Sequence, residues 1–291
     1  MWYNFILMKY QVRKNWWNSL GLIISKPIVL LPFVVFAFVE GLALELIYFS
    51  SRKPISTLTA PIVRKFFGEK LLHYPNDLII LPEFLYYAQL VIYVFISVFL
   101  IAIGINVFKN LKTNLPLKVN ALVRNAAKRY GSFVVYGIFV ITAVLLLRKL
   151  DTVILIKIFK LASKEFPNAV TNAGPFIAPI FLFITNLILQ VFLVLTLPIM
   201  VMQKKSFSKA LGKSIIVGAR NFLSLFTLIL IPYLIYFPVA LLRSFSGKLA
   251  ALTFPEINVV IAGIAIIVSM FADCFIIVCA SQFLLDTEEV K

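Results

Sequence analysis

Six apolar runs, each long enough to cross a bilayer as a helix, constrain this chain more than any other feature of its sequence. A helix needs about 20 mostly apolar residues to span the hydrocarbon core. Charged residues make up only 14% of the chain and hydrophobic residues 62%, whereas a soluble domain is about one quarter charged. The sequence therefore predicts an all-α polytopic membrane protein with six transmembrane helices at residues 27–49, 83–108, 131–147, 175–202, 221–242 and 257–285. The third of these spans is the shortest and ends at Arg148-Lys149.

Three basic segments precede the odd-numbered spans, at residues 5–20, 117–130 and 203–220. In each of them, apolar or small residues alternate with Lys or Arg at helical spacing. This pattern is typical of a basic amphipathic helix that lies in the membrane interface. A further surface helix is expected in each of the stretches STLTAPIVRKFFGEKLL and DTVILIKIFKLASKEF.

An aromatic-proline pair stands shortly before each even-numbered span, as Tyr74-Pro75, Phe166-Pro167 and Phe254-Pro255. Proline stops a preceding helix, and polar residues that follow it are suited to cap the next one. The recurrence indicates an internal repeat. We expect a single membrane domain, residues 1–291, built as three hairpin repeats at 1–108, 109–202 and 203–291.

The distribution of basic residues predicts the orientation of the chain in the membrane. Of the 28 Lys and Arg residues, 16 fall on the side that carries the N-terminus and 12 on the other side. Segments 109–130 and 203–220 contain no acidic residue. By the positive-inside rule, both termini lie in the cytoplasm, and the protein is a multi-pass protein of the cell (cytoplasmic, or inner) membrane. The three tryptophans, at positions 2, 16 and 17, fit an interfacial anchor at the N-terminal end.

The stretch SFSKALGKSIIVGARNFLSLFTLILI and the closing ASQFLLDTEE resemble a known superfamily. It is the six-helix membrane-domain superfamily that is related to the membrane portion of bacterial glycerophosphoryl diester phosphodiesterases and that includes stand-alone members. The resemblance covers about the last third of the chain, and it carries over no catalytic residue, because nothing here resembles the soluble phosphodiesterase domain. It implies a six-helix membrane module.

Polar side chains inside the predicted spans are the first group of candidate functional residues. An ionisable residue at the centre of a membrane helix costs about 2.5–3.5 kcal/mol on insertion scales, so it usually has a reason to be there. The candidates are Glu40, Glu45, Asn186, Gln190 and Asp273. Either these residues line a polar path for an ion, a proton or a lipid headgroup, or they form interhelical hydrogen bonds and ion pairs, with Arg148 or Arg243 as partners.

The basic segment at residues 203–220 supplies the second group of candidates. We expect contacts to anionic lipid headgroups, or to a membrane or protein partner, from Lys204, Lys205, Lys209, Lys213 and Arg220. The net charge of +16 does not indicate nucleic-acid binding, because the basic residues lie between apolar runs and form no single patch. A homo-oligomer is a further expected form of partner.

Catalytic, metal and cofactor motifs are missing from the sequence. His73 is the only histidine, and Cys274 and Cys279 are the only cysteines. No hydrolase, metalloprotease or nucleotide-binding pattern surrounds them. The leading interpretation is a non-enzymatic membrane module that binds lipid headgroups or a partner through its basic cytoplasmic helices. The alternatives are a transporter or permease subunit that uses the intramembrane polar residues, and a lipid-modifying enzyme without a recognisable motif.

Overall fold

The computed structural model describes residues 2–165 and 167–289, and all regular structure in these residues is helical. It confirms the predicted all-α fold. The α-helices are α1 (Trp2–Ser25), α2 (Leu31–Tyr48), α3 (Ser56–Phe67), α4 (Asn76–Ile92), α5 (Val98–Lys112), α6 (Val119–Ala127), α7 (Tyr130–Glu165), α8 (Pro167–Leu193), α9 (Thr196–Met202), α10 (Phe207–Arg220), α11 (Phe222–Ser244), α12 (Ser246–Leu252) and α13 (Ile257–Glu289).

Six helical segments in the described residues are long and apolar enough to cross a membrane, which makes this a multi-pass membrane protein. The second of them is continuous through α4, a π-helical turn at Tyr93–Ser97 and α5. The candidate spans are Leu31–Tyr48, Asn76–Lys112, Tyr130–Ala162, Ile177–Met202, Phe222–Ser244 and Ile257–Thr287.

The third span corrects the sequence prediction, since it is not short and does not end at Arg148-Lys149. Helix α7 runs without a break for 36 residues, so residues 151–165 continue the same helix instead of forming a separate surface helix. At 1.5 Å per residue α7 is about 54 Å long, well beyond the ~30 Å hydrocarbon core. It continues because α8 runs beside it. Asp151, 2% exposed, accepts a 2.7 Å hydrogen bond from the Thr185 hydroxyl on α8.

The three basic segments predicted as amphipathic helices are the helices α1, α6 and α10. Helix α1 buries two of its polar residues and exposes others, including Arg13 and Lys14. Asn15 and Ser19 are buried, while Trp17 and Ile24 are exposed. Trp16 donates its indole N–H to the carbonyl of Leu228, 3.3 Å away on α11.

The last helix, α13, lies at the centre of the bundle. It packs against α11, α2, α1 and both helical halves of the second span. Helix α8 packs against α7, α10 and α11 instead. Side chains on α13 therefore meet residues from the first, second and fifth spans, and this position decides which polar residues come together.

Two separate apolar clusters form the core. The larger lies toward the end of the bundle that carries α6 and α9 and includes Phe33, Phe108 and Leu195. The smaller lies toward the opposite end and is formed by Leu44, Leu78, Leu81, Leu85, Ala262 and Ile266. On the first span, Glu40 lies between Phe33 of the larger cluster and Leu44 of the smaller one.

Two of the three aromatic-proline pairs stand shortly before helices, as predicted. Helix α4 begins after Tyr74-Pro75, and α13 begins shortly after Phe254-Pro255. Phe166 lies outside the described residues, and α8 begins at Pro167. Asn258 lies near the start of α13, and its side-chain amide donates a 2.9 Å hydrogen bond to the Leu78 carbonyl. This bond joins α13 to α4. The threefold repeat itself stays a prediction.

Candidate functional site

A polar layer crosses the bundle beside the larger apolar cluster, and its first three members come from three spans. Glu40 on α2 is 5% exposed and lies within hydrogen-bonding reach of the Gln89 side chain on α4. Arg243 on α11 donates a 2.9 Å hydrogen bond to the side-chain oxygen of Gln89. The Gln89 amide therefore connects a buried acid to a base within the membrane-spanning part of the protein.

Asp273 on α13 belongs to the same layer. Its carboxylate interacts electrostatically with Glu40 and with two tyrosines of α11, Tyr233 and Tyr236. It also acts on Tyr93 of the second span. Asp273 therefore lies near residues of the first, second and fifth spans.

Tyr93 reaches this position at a local distortion of the second span. It begins the π-helical turn Tyr93–Ser97, and its hydroxyl lies within hydrogen-bonding reach of Tyr136 on α7. Carbonyls in and beside the turn find side-chain donors. Ser97 donates to Ile92 at 3.3 Å, and Tyr130 donates to Phe95 at 3.0 Å. Single π-helical turns within α-helices are frequent at functional sites.

Five members of the polar layer are partly exposed, namely Gln89, Tyr93, Tyr233, Arg243 and Asp273. The polar layer is defined here as Glu40, Gln89, Tyr93, Tyr136, Tyr233, Tyr236, Arg243 and Asp273.

Three predicted candidates lie apart from the polar layer. Asn186 donates its amide to the carbonyl of Leu182, 2.7 Å away on its own helix. Gln190 is partly buried on the same helix, α8, whose packing neighbours are α7, α10 and α11. Glu45 is exposed and lines a cleft between α2 and α13 with Phe38. Among the described contacts, none joins Asn186 or Gln190 to Glu40 or Asp273.

Of the two arginines predicted as partners of the intramembrane acids, one lies in the polar layer and the other lies apart from it. Arg243 lies in the polar layer, while Arg148 places its guanidinium 5.4 Å from the centre of the Tyr86 ring. The two cysteines, Cys274 and Cys279, are buried and free. His73 is exposed.

A second polar feature lies at one end of the bundle, where basic residues from two segments surround an open pocket of about 570 Å³. We call it the basic cradle, and it consists of Lys128, Arg129, Ser132, Lys204, Lys205, Ser206 and Lys209. A neighbouring pocket of about 780 Å³ shares Lys128 with the cradle and adds Lys118 and Arg124. Three of the five residues predicted to contact lipid or a partner therefore converge with basic residues that precede the third span.

Arg129 stabilises the cradle, and its guanidinium is occupied by hydrogen bonds to the backbone. Its guanidinium donates hydrogen bonds to the backbone carbonyls of Met200, Lys204 and Lys205. Lys204 has a positive φ of 54°, a left-handed conformation that is uncommon for residues other than glycine. The arginine therefore holds the turn that leads into α10, and the turn aims its lysines at the pocket.

Lys213 and Arg220, the other two predicted contacts, are not in the cradle. Lys213 donates a 2.8 Å hydrogen bond to the side chain of Gln203. Arg220 ends α10, about 16 Å along the helix from Lys209 at 1.5 Å per residue. Helix α10 presents its small face, Ala210, Ser214 and Gly218, to the bundle.

No protein-family model, curated protein or solved structure matches this chain. The resemblance to the phosphodiesterase-related membrane domains therefore stays a prediction. Within the described residues, no group of three or more His, Cys, Asp or Glu side chains is arranged to hold a metal ion.

Several residues of both features were not among the residues predicted from the sequence. Gln89 is an amide within an apolar run, and the rule that selected Asn186 would have selected it too. The four tyrosines of the polar layer lie in the spans and not at their ends, which is a weak signal of an interior role. Lys128 and Arg129 carried no distinguishing mark, because their convergence with residue 204 depends on the fold.

Proposed function

We propose that this integral membrane protein is a non-enzymatic module that holds the headgroup of an anionic lipid in the basic cradle. The observation that carries the proposal is the convergence of Lys204, Lys205 and Lys209 with Lys128 on one open pocket. These residues lie where the third, fourth and fifth spans end or begin, and lipid headgroups lie at the ends of membrane spans.

The chemistry of the pocket suits a phosphate. The first turn of α10 leaves backbone N–H groups without helical partners, and the Ser206 side chain does not cap them. A helix N-terminus binds anions through such groups, and clustered lysines add charge to the site. Segments 109–130 and 203–220 contain no Asp or Glu, so neither segment supplies a competing carboxylate. A soluble anion would use the same groups, but the position beside the spans favours a lipid.

Native mass spectrometry of the protein in a neutral detergent tests this proposal. We expect phosphatidylglycerol to remain bound under conditions that release phosphatidylcholine. Replacing Lys204, Lys205 and Lys209 together by Gln should weaken phosphatidylglycerol binding on the order of 100-fold, because each basic residue contributes about 1 kcal/mol near an anionic surface. Higher salt should reduce the wild-type preference, since exposed charges are screened.

The matched control replaces three exposed lysines of the opposite end by Gln, namely Lys53, Lys149 and Lys157. It removes the same charge and should leave the lipid preference unchanged. Equal binding of both lipids to the wild-type protein would overturn the proposal. An equal loss in the two triple variants would show that net charge, and not the cradle, attracts the lipid.

A further inference from the structure

A cavity of about 590 Å³ lies between α1, α11 and α13. All of its lining residues except Arg13 are apolar or aromatic, and none of them belongs to the basic cradle. Its volume falls within the range of about 300–1,000 Å³ that is usual for small-molecule sites. The cavity is therefore large enough for one ligand, and its lining is suited to a ligand that is apolar over most of its length.

Helix α1 gives the cavity a charged end and an apolar end. Its contribution to the lining begins at Arg13, continues through Trp16, Trp17 and Leu20, and ends at Ile23. Residues three, four and seven positions apart lie on the same face of a helix. Arg13 and Ile23 are ten residues apart, which is about 15 Å along α1. This wall therefore leads from a single cation to an apolar end, as the wall of a site for an amphiphile with one chain would.

The guanidinium of Arg13 is available to a ligand. Arg13 is exposed, and within the part of the chain that the structure describes it forms no ion pair. A guanidinium binds a carboxylate or a phosphate through two parallel hydrogen bonds. The charge of Arg13 therefore complements an anionic headgroup at this end of the cavity.

The wall between α1 and α11 is fixed by a proline. Pro232 lines the cavity and has no backbone N–H, so the carbonyl of Leu228, four residues earlier, lacks its usual helical hydrogen bond. The indole N–H of Trp16 donates to this carbonyl at 3.3 Å. The bond holds the Trp16 ring against α11, so this wall is in place before a ligand binds.

On the side of α11 and α13, the cavity opens toward lipid. Ile235 and Phe271 line it and are more than half exposed, and both lie within candidate membrane spans. A hydrophobic ligand would reach the cavity from the bilayer without crossing water. Its chain would lie against α11 and α13.

We infer that this cavity binds one long-chain fatty acid, whose carboxylate pairs with Arg13 and whose chain lies along α11 and α13. One guanidinium suits a monoanion, and the volume suits one chain better than the two chains of a phospholipid. The site is separate from the basic cradle and does not depend on lipid binding there.

Photo-labelling of the full-length protein in nanodiscs of phosphatidylcholine tests the inference. The probe is palmitate with a diazirine in the middle of its chain, and peptide mapping locates the label. We expect saturable labelling of residues 231–235 and 268–275 that unlabelled palmitate suppresses. Hexadecanol should not suppress it, because it has the same chain without the charge.

Three results would overturn the inference. Labelling that does not saturate, or that spreads evenly over the lipid-facing helices, would identify the cavity as ordinary lipid-facing surface. Equal suppression by hexadecanol would remove the role of the charge. Suppression by phosphatidylglycerol as strong as that by palmitate would show that the site takes a phospholipid.

Substitution of Arg13 tests the charged end. Arg13→Gln should raise the half-saturating concentration of the probe at least about tenfold, since a hydrogen bond to a charged group is lost. Lys14→Gln is the matched control, because Lys14 is an exposed base on the same helix that does not line the cavity. Equal effects of the two substitutions would contradict the site.

Charge reversal gives a readout that loss of folding cannot imitate. In Arg13→Glu, the palmitate probe should lose its saturable labelling, and hexadecylamine with the same diazirine should label residues 231–235 and 268–275 instead. The wild-type protein should show no saturable labelling by the amine. Saturable palmitate labelling that persists in Arg13→Glu would contradict the inference.

Discussion

Arg243 on the fifth span donates a 2.9 Å hydrogen bond to the side-chain oxygen of Gln89 on the second span. The two residues are 154 positions apart in the chain, and Glu40 of the first span lies within reach of the same glutamine. One amide thereby ties three spans together at the level of the polar layer.

Replacing Arg243 by Met should lower the stability of the bundle, because it leaves Gln89 and Glu40 without their base. Interhelical hydrogen bonds in membranes contribute about 0.6 kcal/mol on average, and hydrogen bonds to charged groups contribute more. We expect a loss of about 1–2 kcal/mol, measured as a lower melting temperature in detergent. Lys149→Met, at an exposed position of α7, is the control and should melt like the wild type.

Gly137 marks the closest approach of α7 to the π-helical turn. A Cβ atom added there would lie 3.0 Å from the Cα of Val94 and 3.3 Å from a methyl of Val98. Gly137→Ala should destabilise the protein by about 1–3 kcal/mol through overpacking.

Gly131→Ala provides the contrast on the same helix, since nothing lies within 4 Å of its added Cβ. It should be neutral or slightly stabilising, because alanine favours a helix over glycine. Equal effects of the two substitutions on thermal unfolding would contradict the close contact.

Arg129→Lys should loosen the turn before α10, because a lysine cannot replace the several N–H groups that the guanidinium directs at three carbonyls. Hydrogen exchange at residues 203–207 should become faster, and phosphatidylglycerol binding should weaken although the charge is kept. Arg124→Lys, at an exposed site on α6, is the control and should change neither quantity. Unchanged hydrogen exchange in Arg129→Lys would show that the guanidinium of Arg129 does not stabilise the turn.

The predicted orientation places α10 in the cytoplasm and α12 outside. Single cysteines at the exposed positions of Ser208 and Leu252 report on it, because the native Cys274 and Cys279 are buried. An impermeant maleimide should label Leu252→Cys in intact cells and Ser208→Cys only after permeabilisation. The reverse pattern would invert the topology.

The spans and the intramembrane acids could be predicted from the sequence because both are local signals. An apolar run shows itself without reference to the rest of the chain, and so does Asp273 within such a run. The end of the third span could not be predicted in this way. Arg148-Lys149 resembles a membrane boundary, but α7 continues beside α8 through contacts such as Asp151 with Thr185.

The partners of the candidate residues could not be predicted from the sequence either, because they depend on how the helices pack against one another. Five basic residues of segment 203–220 looked equivalent in the sequence, yet Gln203 engages Lys213 while Lys204 and Lys205 face a pocket completed by Lys128. Asn186 and Asp273 were equally plausible members of one polar path. The packing of α8 away from α13 separates them.

Photo-crosslinking with an anionic lipid tests the central claim, binding of a headgroup in the basic cradle, most directly. A phosphatidylglycerol with a diazirine in its headgroup would be reconstituted with the protein, and the modified peptides would be mapped by mass spectrometry. We predict crosslinks concentrated at residues 128–132 and 204–209 and their loss when Lys204, Lys205 and Lys209 are replaced by Gln. Crosslinks that match those of a phosphatidylcholine probe, or that persist in the triple variant, would contradict the claim.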